Sequence, residues 1–257
     1  MFQAKPATAG ADAFDRLKLF MNVPPTPFDL KRLEQDAKQL ENASPSEAHT
    51  VRAGICALKW DANGAAFWSE KACLANGGAT TRSNASVTFR YLNDLSRAIQ
   101  YAHQAVKTAP LDRGGVLHLA ALLVSAGRVA EAVAVRNEYL HRVPDGPPLE
   151  NGPERISGFF DELGIREDQV HEEIAAAMLV LSEDRVRYDD VEYESDYEPD
   201  GAGLLVVKVK FRGDLAAEMR LESRLAQKLA DMPRWNPSKL SVEYEYVMEV
   251  SDAGQPA

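Results

Sequence analysis

The sequence predicts a mainly α protein, a helical-hairpin array followed by a small α+β module in the order helix, strand, strand, helix, strand. Three observations predict it. One helical pattern is written twice between residues 79 and 145, the hydrophobic period changes to two beyond residue 187, and the charge balance breaks between these regions. Residues 1–78 carry nine basic and nine acidic groups, 79–143 eight and four, and 144–257 twelve and 26, so the local balances are 0, +4 and −14 within an overall −10. The break falls beside Pro144, Asp145, Gly146, Pro147 and Pro148, a joint too rich in proline to continue a helix. The predicted divisions are a mobile N-terminal segment with a short helix (1–28), a helical repeat domain (29–145), a linker and capping helix (146–165), an acidic α+β module (166–250) and a disordered tail (251–257).

Taken in order, Ala11 to Met21 places Phe14, Leu17, Leu19 and Phe20 on a short helix, read as a strap packed on the helical body, and Pro24, Pro25 and Pro27 stop it. Asp29 is expected to cap a helix running to about Asn42, with Leu30, Leu33, Ala37 and Leu40 at helical spacing. Ser44 or Ser46 caps the next helix, to about Lys59, whose antiparallel mate spans Gly64 to Ala75; Trp60 and Trp68 near their turn read as core. Two clear hairpins follow, Ser83–Asn93 with Ser96–Thr108, and Gly115–Ala126 with Val129–Arg142. The helix Pro153–Leu163 caps the array or bridges to the module, and Glu167–Leu181 opens the module.

In Arg187 to Tyr197 the side chains alternate, with Asp190, Glu192, Glu194 and Asp196 facing one way and Val191, Tyr193 and Tyr197 the other. Leu204 to Arg212 alternates as well, with Lys208, Lys210 and Arg212 opposite Leu205, Val207, Val209 and Phe211. A turn with Pro199, Asp200, Gly201 and Gly203 joins the two strands. Asp214 caps a helix to about Ala230, Pro233, Trp235 and Pro237 form a connection, and Leu240 to Val250 is the last strand. A right-handed crossover is expected to lay that strand beside the first strand of the hairpin.

The doubled pattern holds one shift of 34 residues without a gap: Ala85 over Leu119, Phe89 over Leu123, Ala98 over Ala132, Val106 over Leu140 and Pro110 over Pro144. With its packing alanine, turn glycine (Gly127) and closing proline, the unit resembles the tetratricopeptide repeat, a helix-turn-helix that stacks into a right-handed solenoid. The sequence departs from that family at Arg82 and Val116, where its first aromatic stands, at Ala102 and Arg136, which replace its second, and at Asn93, where the first copy lacks the glycine. The resemblance implies a concave face lined by first-helix residues, here Asn84, Val87, Arg90 and Tyr91 from one hairpin and Leu117, Ala121 and Val124 from the next. It implies a non-enzymatic adaptor or chaperone-like scaffold holding a peptide or partner helix.

The other chemistry in the sequence is weaker. The carboxylates of Asp190 to Asp196 recur at every second position about 7 Å apart along one strand face, which does not converge them on a metal ion. The module's element order resembles the restriction-endonuclease-like nuclease core, with Asp200 and Lys208 in motif positions but Val206 where an acid is required, unless Glu218 or Glu222 substitutes. That implies the rival reading of a nucleic-acid-associated protein with a degenerate nuclease-like module. His171, Glu172 and Glu173 start like a zinc-protease helix, but Ala175 stands where the second histidine belongs. No metal, cofactor or catalytic residue is expected. With only Cys56 and Cys73, no signal in Met1 to Gly10 and no apolar run of membrane length, the expected setting is soluble and cytoplasmic, with a protein partner.

Overall fold

A computed structural model describes residues 9–144, 146, 149, 152–197, 203–232 and 238–247. The strand-joining turn at 198–202, the connection at 233–237, the end of the last strand and the tail lie outside the described residues. The chain divides into two compact units, Met1–Gly115 and Val116–Ala257.

The first unit is built of helices. α1 (Ala9–Asn22) and α2 (Pro27–Leu40) precede two hairpins, α3 (Pro45–Leu58) with α4 (Ala62–Ala75) and α5 (Ala79–Arg90) with α6 (Leu95–Thr108). The expected strap is real: α1 packs on α2 and α3, burying Ala13, Leu17 and Phe20 among Leu33, Ala37, Leu40, Val51 and Ile55. Gly54 lets it come close, since a Cβ there would lie 2.8 Å from Leu17 Cδ2. The cap of α2 differs from expectation. Thr26 is the N-cap, Pro27 fills the first turn where no amide is needed, and Asp29 is the third residue of a reciprocal capping box. Ser44 precedes α3 without a side-chain cap bond, while Ser46 is buried and donates to the Ala72 carbonyl of α4 at 3.2 Å. Trp60 and Trp68 are half-buried, outside the fully buried core.

The hairpins share one turn. Trp60, Asn93 and Gly127, at spacings of 33 and 34 residues, take left-handed backbone angles (φ 58°, 57° and 72°). In each case the following amide (Asp61, Asp94, Arg128) donates back to the carbonyl five residues earlier (Cys56, Phe89, Leu123) at 2.8–3.0 Å, the hydrogen bond that closes a helix with a left-handed residue. Asn93 thus does in the first clear copy what Gly127 does in the second, because asparagine tolerates this region better than other side-chain-bearing residues. Ala98 and Ala132, at equivalent positions, are fully buried, and Ser86 reaches across from α5 to the Ala98 carbonyl at 2.7 Å.

The second unit holds most of α7 (Arg113–Ser125), then α8 (Val129–Arg142), α9 (Gly152–Leu163), α10 (Glu167–Glu183), β1 (Tyr188–Tyr197), β2 (Gly203–Arg212), α11 (Leu215–Ala230) and β3 (Leu240–Val247). Helix α9 packs on both α8 and β2, and α10 packs on α11 and β3. Gly164 (φ 61°) ends α9 with the same turn seen three times before, the Ile165 amide donating to the Phe160 carbonyl at 2.9 Å. One face of the sheet is buried, with Val191, Tyr193, Leu205, Val207, Val209, Phe211, Leu240, Val242 and Tyr244. A register shift between Tyr188 and Asp190 lets Tyr188 turn inward as well.

The sheet order corrects one expectation. The strands run β1-β2-β3, with β2 antiparallel to β1 and parallel to β3, so the last strand lies beside the second strand of the hairpin and not the first. Charge explains the choice. Lys208 and Lys210 of β2 stand opposite Glu192 and Asp190 on one side and Glu243 and Glu245 on the other, whereas β3 beside β1 would set one acidic row against another. The unbroken apolar register of β2 also fits the central position.

Candidate functional site

On α5, the residues facing the interior are Thr81, Ala85, Ser86, Thr88 and Phe89. Their small hydroxyl side chains are satisfied within the helices, Ser86 by Ala98 and Thr88 by the Asn84 carbonyl at 2.9 Å. Asn84, Val87, Arg90 and Tyr91 are left half-buried along the same helix and its C-cap. Phe89 anchors the helix from beneath, stacked on Tyr101 at 5.5 Å with Arg97 over its ring.

On α7, Val116, Leu119, Ala120, Leu122 and Leu123 are buried. Leu117 (38% exposed) and Ala121 remain outward and Val124 is half-buried, so a side at spacings of four and three carries apolar surface that the unit's interior does not use. The two expected groups of residues thus each form a strip on their own helix, one in each unit.

The α7–α8 turn is held by groups that sequence reasoning did not select. Tyr193 Oη of β1 donates to the Val124 carbonyl at 2.6 Å, His171 Nδ1 of α10 donates to the Ala126 carbonyl at 2.6 Å, and Glu167 accepts from the Ala130 amide at 3.0 Å. The Val124 carbonyl also accepts from the Gly127 amide at 2.9 Å, so Tyr193 adds a second bond there, while His171 and Glu167 supply partners to the Ala126 carbonyl and to an amide in the first turn of α8. Burial, with the Glu167 charge second, pushes the Tyr193 phenol far above its ordinary range, so it stays a donor. Gly127 has two reasons to be glycine: its φ of 72°, and the His171 backbone 3.0 Å from where a Cβ would stand. His171 was conspicuous only as the first residue of an incomplete zinc motif, and Tyr193 only as an inward strand residue. Arg136, the odd replacement in the repeat, is buried in α8 and pairs with Glu154 of α9 at 3.1 Å.

The acidic strand face is an ion-pair ladder. Lys208 meets Glu194 at 2.7 Å and Lys210 meets Glu192 at 2.6 Å, with Glu245 at 3.7 Å and Arg212 near Asp189 at 3.6 Å. Hydrogen bonds to Glu194 and Glu192 raise the pKa of the two ammonium groups. Among the described residues no group of three or more His, Cys, Asp or Glu side chains converges as a metal ion requires. Of the residues in the nuclease-like resemblance, Asp200 lies outside the described residues. Glu218 and Glu222 turn to β3, accepting from the Tyr246 amide at 2.9 Å and from the Tyr244 amide.

Two further features of the first unit bear on chemistry. On α3 and α4, Arg52 lies over the Trp68 ring at 4.8 Å, His49 stacks on it at 5.2 Å and Phe67 meets it edge-on. Burial, then the Arg52 charge, lowers the His49 pKa, which keeps that imidazole neutral. Cys56 and Cys73 are free and half-buried, and burial pushes both thiols up, away from the reactive thiolate.

Comparison with protein-family models finds no match, and comparison with curated proteins finds none. No helix among the described residues is long and apolar enough to cross a membrane.

Proposed function

We propose that this chain is a non-enzymatic protein-binding scaffold of the tetratricopeptide-like class, in which the outward strip of a first helix, α5 or α7, receives a peptide or partner helix. The observation that supports the reading is the recurrent turn: left-handed residues at 60, 93 and 127 with the same backward hydrogen bond repeat the hairpin unit at the family's period. Asn84, Val87, Arg90 and Tyr91 supply polar, cationic and aromatic contacts, and Leu117, Ala121 and Val124 an apolar strip, the residue types that anchor interfaces. The lysine with which carboxylate-clamping members of that family hold a peptide terminus is missing from these positions, so an internal segment with an acidic group near apolar residues is the occupant.

Selection from a displayed peptide library by the full-length protein tests this. The expected result is enrichment of acidic and apolar motifs, whose binding falls at least about tenfold with Arg90→Glu plus Tyr91→Ala, a loss of the size hot-spot residues carry. Peptides that bind the variant equally well refute the assignment. Retention that collapses with salt between about 0.05 and about 0.5 M points instead to phosphate-type contacts and the nucleic-acid reading.

A further inference from the structure

The three-stranded sheet treats its two edges differently. The outer edge of β3 is closed. Glu218 and Glu222, one turn apart on α11, accept from the amides of Tyr246 and Tyr244, alternate residues of the strand. Two carboxylates thereby stand where the carbonyls of a fourth strand would be, a device that denies the edge to other chains. The edge of β1 is left without a strand partner among the described residues, although at ten residues it is the longer strand. At its start Asp190 Oδ1 covers one amide, accepting from Val191 N–H at 2.9 Å. Beyond that point lie Glu192 to Asp196, whose alternate side chains Glu192, Glu194 and Asp196 share the outward face.

We infer that the edge of β1 is a strand-addition site for an extended protein segment in which lysine or arginine alternates with apolar residues. The strand already paired with β1 shows what its face accepts: β2 presents Lys208 and Lys210, and both are bonded to Glu194 and Glu192. Asp196 has no ion pair among the described residues, and Glu194 keeps about half its side chain exposed (52%), so acidic surface is left over for a second basic strand. A second copy of this chain is the wrong partner, because pairing β1 with β1 sets rows of carboxylates opposite one another, which is unfavourable. Strand addition draws affinity from main-chain hydrogen bonds and selectivity from the alternating side chains. This edge is inferred without the helical strips of the proposed function and does not depend on that reading.

The test uses the full-length protein and a fluorescent eight-residue peptide alternating valine and lysine. A peptide of the same composition with its four lysines in one block serves as control. We expect saturable binding of the alternating peptide, at least about tenfold tighter than the block peptide, weakening with salt as exposed ion pairs are screened. Slowed amide exchange should be confined to β1. Glu194→Gln with Asp196→Asn should weaken binding several-fold, while Glu243→Gln on β3 leaves it unchanged. Equal binding of the two peptides, protection on β3 or on helices instead of β1, or no binding at about millimolar peptide overturns the inference. Sedimentation showing a dimer whose β1 amides are protected without peptide assigns the edge to a second copy and overturns it too.

Discussion

The two units use side chains differently to hold backbone. In the first, the hydrogen bonds from side chains to other helices' backbones are short in sequence, Ser86 to Ala98 and Ser46 to Ala72, and join neighbours in the hairpin order. In the second, they cross long stretches of chain: Tyr193 to Val124, Tyr244 to Ala177 at 2.7 Å, His171 to Ala126, and Lys239 to Leu163 at 3.0 Å. A hairpin array assembles from local contacts, whereas a mixed sheet must close long loops before its contacts form. The hairpin α7–α8, though similar in sequence to α5–α6, carries the clamps of the second unit.

The largest expected effect removes what the two hairpins share. Ala98→Asp in the first unit and Ala132→Asp in the second each bury an unpaired carboxylate and should cost on the order of 3 kcal/mol or more. Unchanged midpoints in urea would refute the shared register.

The next separates them. Gly127→Ala brings a Cβ against the His171 backbone in a left-handed conformation and should cost about 2 kcal/mol or more, since the left-handed region alone costs a side-chain-bearing residue roughly 1–2 kcal/mol. Asn93→Gly, at the equivalent turn, keeps a residue that takes the left-handed conformation without steric cost and should therefore lose less than Gly127→Ala. Equal losses at the two turns, measured by chemical denaturation, would remove the special constraint assigned to Gly127 by the His171 backbone.

Acid should then act on the units in opposite directions. Hydrogen bonds from Thr26 hold Asp29, and those from Arg52 hold Glu41, below the usual carboxylate range. Their contribution is present above the unfolded pKa and is lost as pH falls through the folded one. Burial raises Glu173 and Glu222, whose contribution is full below the unfolded carboxylate pKa and is lost as pH rises through the folded value. Glu173→Gln should therefore raise the melting temperature at pH of about 8 and leave it nearly unaltered at pH of about 3, below the unfolded carboxylate pKa, where the parent carboxyl is mostly protonated in both states. A gain of equal size at both values would mean that its charge is not what costs stability.

The smallest effect is expected on the ladder. Replacing Asp190, Glu192 and Glu194 by their amides removes exposed cross-strand pairs, each contributing about 0.2–1 kcal/mol. A change in the urea midpoint equivalent to several kcal/mol would show that the sheet depends on this face.

Periodicity made nearly every element legible, because each helix and strand announces its buried face within its own residues. The placement of β3 was legible too, in the basic row of β2 between two acidic rows, a charge pattern that outweighs the topological preference for the first strand of the hairpin. The start of α2 is less legible, because Thr26 lies among prolines and Asp29, itself a good capping residue, stands three positions further on as the partner in the capping box. The clamps on the α7–α8 turn were not legible. Tyr193 and His171 lie 69 and 45 residues from the carbonyls they bind, and nothing local to a tyrosine or a histidine says which distant carbonyl it will meet. The seven expected partner-binding residues were legible as positions on two helices; which molecule meets them is not written in either helix.

The bonds between α11 and β3 work like a vernier. Four residues of helix advance about 6 Å and two residues of strand about 6.6 Å, so Glu218 and Glu222 stay nearly in step with Tyr246 and Tyr244. Each further pairing adds roughly another 0.6 Å of mismatch, and the next helix position in the series, Ala226, has no acceptor to offer. A straight helix can therefore shield only a brief run of strand amides before the two scales drift apart. An edge as long as β1 lies beyond the reach of this device, and only another strand, advancing at the same rate, can follow it from end to end.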